Sequence, residues 1–222
     1  MSISLLGAIF FIEIIAIYHL SRWALTKSYP LLKYILKNNT AVIFFVALIY
    51  FPGTVIHEIS HYLVALLLGM HPSEIRLFPH IEGKNIKLGH VLYEKGRNDY
   101  IRSVLVGIAP FFGGLFSLWL IVQTHLFPST VLWQTILFGY MILTISANMF
   151  SSKQDLIDVG YLIPLSLFIG LLWYLFPIQI APSLISQLVP HITYFFQTLQ
   201  GPLLFSIGIH LFLVILLSLK MV

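Results

Sequence analysis

Residues Ala41 to Met70 read AVIFFVALIYFPGTVIHEISHYLVALLLGM, an apolar run interrupted by Pro52 and Gly53 and then by His57, Glu58 and His61. As a helix the run is about 45 Å long, more than the roughly 30 Å of hydrocarbon in a bilayer. Pro52 removes a backbone hydrogen bond, so a kink or break is expected there, at a place where protein or water covers the freed groups. Beyond it, His57-Glu58-Ile59-Ser60-His61 fits H-E-x-x-H, and on a helix positions i and i+4 share one face. Both imidazoles can then hold one metal ion, and zinc suits them because imidazole nitrogen is one of its ordinary ligands. Glu58, one residue round from His57, stands where a general base takes a proton from water that the ion acidifies. With 9 His and 8 acids in 222 residues, about 0.01 chance matches to the motif are expected. The competing reading is a polar cluster satisfied by neighbouring helices. Against it stands the apolar setting, where ionisable side chains are costly and mark function.

Composition sets the class. The chain is 59% hydrophobic and 9% charged, against about 25% charged in soluble domains, so an integral membrane protein is expected. The formal net charge is +4, and the 12 basic residues gather in loops. They read as contacts with lipid headgroups or as topology signals, and no basic stripe follows a nucleic-acid backbone. The chain has no cysteine, which excludes disulfides and thiolate ligands and leaves His, Asp and Glu to hold a metal.

Outward from the central run, the apolar segments predict an all-α polytopic membrane protein. One membrane domain over residues 1–222 holds six transmembrane helices, at about 3–20, 41–70, 101–122, 131–150, 159–178 and 203–220. The first is an anchor, not a cleaved signal peptide, because it lacks a basic leader and a small-residue cleavage site. Glu13 within it is expected to face the bundle. Ser21 to Thr40 reads as a connector with Arg22, Lys27, Lys33 and Lys37. The polar segment 71–100 reads as a short surface β-hairpin, with strands at Ile75 to Phe78 and Lys87 to Tyr93 around Glu82-Gly83-Lys84-Asn85. Its histidines, His71, His80 and His90, are expected to be solvated or hydrogen-bonded. In the third helix Gly107 to Gly114 favours close packing, and Pro110 frees a carbonyl. Pro182, Pro190 and Pro202 mark a further connector.

A cytoplasmic N-terminus places Arg76, Lys84, Lys87, Lys95, Arg97, Arg102, Lys153 and Lys220 inside, against Arg22, Lys27, Lys33 and Lys37 outside. That balance favours both termini in the cytoplasm, here of a prokaryotic cell. The second and fourth helices then end at the same membrane face. Zinc needs a further donor, and the acids that remain outside the first helix and the hairpin are Asp155 and Asp158. Asp158 also suits the start of the fifth helix. Asn148 is a candidate for hydrogen bonding to substrate backbone, to the ligand carboxylate, or between helices.

Residues 41–160 resemble the site-2 protease class of intramembrane zinc metalloproteases. The resemblance lies in H-E-I-S-H on a membrane helix, a strand hairpin after it, and an Asn-then-Asp region ending a later helix. It implies His57, His61 and Asp155 as zinc ligands and Glu58 as the base. In the family the acid lies in an Asn-Pro-Asp-Gly type motif. Here Asn148 to Asp155 reads N-M-F-S-S-K-Q-D, closer to small, divergent relatives with a Ser-Ser-x-x-Asp type stretch. The activity implied is hydrolysis of a membrane protein or peptide substrate, whose backbone adds as a strand to the hairpin edge. Two other readings stay open: a zinc-dependent hydrolase of a lipid amide or ester, which uses the same residues, and a transporter or metal-binding scaffold, which needs no general base.

Overall fold

The computed structural model describes residues 2–78, 80–82, 85–87, 89–94, 99–149, 162–176 and 182–219. Among them are seven helices: α1 (Ile3–Leu36), α2 (Asn39–Ile49), α3 (Phe51–Leu67), α4 (Tyr100–Gln123), α5 (Leu132–Asn148), α6 (Leu162–Leu175) and α7 (Pro182–Leu219). Four short strands lie between α3 and α4: β1 (Glu74–Arg76), β2 (His80–Glu82), β3 (Asn85–Lys87) and β4 (His90–Leu92). Helices α1 and α4 and residues Ser183–Leu219 of α7 are each long and apolar enough to cross a membrane. The pair α2 and α3 meets the same test only jointly, across a 74° bend.

The break expected at Pro52 is present, and its chemistry is visible. Helix α2 stops at Ile49, Tyr50 joins the two helices, and Pro52 sits in the first turn of α3, where a missing N–H costs nothing. A break inside an apolar segment exposes carbonyls, and α5 covers two of them. The Tyr140 hydroxyl donates to Ile49 O at 2.5 Å, and Asn148 Nδ2 reaches Tyr50 O at 3.4 Å. Gly53 lets the helices approach, because a Cβ there would fall on the Thr144 carbonyl oxygen and 2.5 Å from Asn148 Nδ2. On the other flank of α3, Gly113 of α4 accommodates Ser60, so small residues set the packing on both sides.

Two expected connectors are helical instead. Helix α1 runs on from Leu20 to Leu36, 34 residues or about 51 Å in all. Its basic residues end the apolar stretch without ending the helix, since Lys and Arg are good helix formers. Ser21, Thr26 and Ser28 turn their hydroxyls back to carbonyls of the preceding turn. Lys37 then closes α1 in a left-handed conformation, its N–H on Lys33 O at 2.9 Å. Helix α7 begins at Pro182, not near Leu203, and carries Pro190 and Pro202 inside it. Neighbouring elements make such prolines tolerable in apolar helices.

The hairpin is two antiparallel ladders whose registers differ by one residue. Strand β1 pairs with β4 (Glu74↔Leu92, Arg76↔His90), and β2 pairs with β3 (His80↔Lys87, Glu82↔Asn85). Ser73 N–H to Leu92 O at 2.9 Å extends the β1–β4 ladder, and Glu94 N–H to Met70 O, also 2.9 Å, ties it to the chain leaving α3. The main core joins four helices through Phe10, Ile14 and Ile17 of α1, Leu118 of α4, Ile142 of α5 and Leu203 of α7. Outward-facing residues such as Phe11, Ile12, Leu132 and Phe212 are large and apolar. Such a surface suits lipid and not water.

Candidate metal centre

Helix α3 carries His57, Glu58 and His61 into the space between α4 and α5. His57 and Glu58 are 4% and 6% exposed, so these polar groups lie inside the bundle and need partners there. Both imidazoles find one in a backbone carbonyl. His57 Nδ1 is 2.7 Å from Asn148 O, and His61 Nδ1 is 2.8 Å from Val106 O. A carbonyl only accepts, so each ring carries its proton on Nδ1.

Those carbonyls are open for a reason written in the sequence. Asn148 is the last residue of α5, and the final carbonyls of a helix have no intrahelical partner. Val106 lies four residues before Pro110, which has no N–H to close the i to i−4 bond. Pro110 therefore presents Val106 O to His61.

With Nδ1 committed on both rings, Nε2 is the acceptor on both. The two Nε2 atoms lie 3.1 Å apart, the ring centroids 4.7 Å apart and the planes 85° to one another. Two acceptor nitrogens at this distance repel unless a positive charge lies between them. Two nitrogens bound to one tetrahedral zinc at 2.0 to 2.1 Å stand about 3.3 Å apart, close to what this pair presents. Metal-bound histidines also characteristically give their other N–H to a carbonyl or carboxylate. The donor chemistry at His57 and His61 thus fits a metal ion.

Among the described residues, no three His, Asp or Glu side chains converge on one point. Asp155 and Asp158, the candidate third ligands, lie outside the described residues. Asn148 is brought to the site twice over. Its carbonyl holds His57, while its amide donates to Thr144 O at 2.9 Å and to Tyr50 O, fastening α5 to the α2–α3 break. Glu58 lies under the hairpin beside Gly89. His71 is exposed, with φ 42°, and His90 lies on β4. The residues that the sequence reading missed are Val106 and Asn148 as carbonyl acceptors for the two rings. Pro110, four residues after Val106, was the available signal.

No protein-family model matches the chain, and no curated protein or solved structure matches it significantly.

Proposed function

We propose that the chain is a membrane-embedded zinc metalloprotease of the site-2 protease type, hydrolysing peptide bonds in or near the bilayer. The observation that carries this reading is the pair of imidazoles, oriented by two carbonyls and facing each other through Nε2 at 3.1 Å. His57 and His61 hold the metal. Asp155 completes the ligand set on the strength of the resemblance at Asn148 to Asp155. Bound zinc supplies Lewis acidity, which acidifies water and polarises a carbonyl. Glu58 accepts the proton of the attacking water and delivers it to the departing amine. Its burial strengthens its charge interactions, because little solvent screens them. In this proposal six helices cross the membrane with both termini cytoplasmic, and the substrate backbone joins the hairpin as an added strand.

The test is hydrolysis by purified protein of a transmembrane peptide and, separately, of lipid amides and esters. Wild type is expected to cleave the peptide. Glu58→Gln is expected to keep its zinc while turnover falls by about 10² to 10⁴, the range for loss of a general base. Full turnover by Glu58→Gln overturns the mechanism, and hydrolysis confined to lipids replaces the substrate class.

A further inference from the structure

Gly89, between β3 and β4, has no side chain, and its conformation does not explain why. Its φ lies outside the left-handed region, where among described glycines only Gly69 is found. The φ of Gly89 therefore does not by itself call for glycine. What a side chain there would meet is Glu58. A Cβ at position 89 would lie 2.6 Å from Glu58 Oε1 and 3.0 Å from both Cδ and Cγ. Those are three atoms of one carboxyl arm, and Glu58 is 6% exposed, so the arm has little room to swing away. The hairpin is held over this spot at its base by Glu94 N–H on Met70 O. Helix α3 and the hairpin thus meet at the Glu58 carboxyl arm.

We infer that Gly89 is a positioning residue: its bare backbone forms the wall that holds the Glu58 carboxylate in place for proton transfer. The role as base rests on the proposed function, whereas the contact itself does not. Proton transfer tolerates little misplacement, since a shift of about 1 Å can cost about 10²-fold in rate. A methyl at position 89 displaces Glu58 or lifts the hairpin. Either change alters the base without touching His57 or His61.

The experiment combines Gly89→Ala, Glu58→Ala and the double variant in the purified full chain, with Gly201→Ala as a control where an added Cβ meets nothing within 4 Å. Zinc content, thermal midpoint and peptide kinetics are read for each. Gly89→Ala is expected to retain zinc, to lower kcat by about 10²-fold with KM changed far less, and to lower the midpoint. In the Glu58→Ala background the same substitution is expected to leave the midpoint where Glu58→Ala alone puts it. An equal drop in midpoint in both backgrounds, or wild-type kcat for Gly89→Ala, overturns the inference. If wild type cleaves no peptide, the catalytic part falls together with the functional reading, and the midpoint cycle decides the contact by itself.

Discussion

A histidine that gives its Nδ1 proton to a carbonyl can ligate only through Nε2, so the partner of the far nitrogen decides what the near one can do. At His61 that partner is Val106 O, and its availability depends on Pro110 lacking an N–H. Pro110→Ala supplies the N–H and lets it compete for the same oxygen. The expected result has two opposite signs: a more stable helix, and zinc affinity lower by about 10- to 100-fold, the usual cost of losing a metal ligand's hydrogen-bond partner. Thermal melting and zinc titration with a competing chelator read the two. At His57 the carbonyl comes from Asn148, so Asn148→Ala keeps it. That variant is expected to retain zinc and to lose about 1 kcal/mol from its amide bonds to Thr144 O and Tyr50 O, measured by melting. The His57-Glu58-His61 pattern was legible in the sequence because side-chain identity and spacing carry it. The carbonyls were not, because every residue has one and only the fold selects which face a ring.

The bend between α2 and α3 was equally legible, since proline in an apolar run has few outcomes. Which groups would cover it was hidden, because Tyr140 and Asn148 lie 91 and 98 residues further along the chain than the carbonyls they reach. Removing the Tyr140 hydroxyl by Tyr140→Phe takes one donor from the break. The expected loss is about 1 kcal/mol, and the check is a lower thermal midpoint with zinc retained. Gly53 is less forgiving, because the space of its missing side chain is filled by α5 backbone. Gly53→Leu forces α3 away from α5 and is expected to cost about 1 to 3 kcal/mol and to weaken zinc binding, as His57 leaves Asn148 O. The extent of α1 and α7 was read short for a common reason. Charges and prolines mark where hydrocarbon ends or where a helix needs help, and neither marks where these two helices stop.

Over the whole molecule, the core that unites α1, α4, α5 and α7 keeps α4 and α5 in place on the flanks of α3, and the proposed metal centre depends on both. Among the described residues three helices have the length and composition to cross a membrane, and α2 with α3 forms a bent fourth candidate. The proposed topology puts the hairpin and both termini on one side. The chain has no cysteine, so single cysteines at Ser2, Ser73 and Glu94 can be labelled by an impermeant reagent without background. All three are expected to react from the cytoplasmic side. The central claim concerns the two facing imidazoles, and the zinc content of purified wild type, His57→Ala and His61→Ala tests it most directly. The account expects zinc bound in equal proportion to wild-type chain and lost from both variants, whereas equal zinc in wild type and His61→Ala contradicts it.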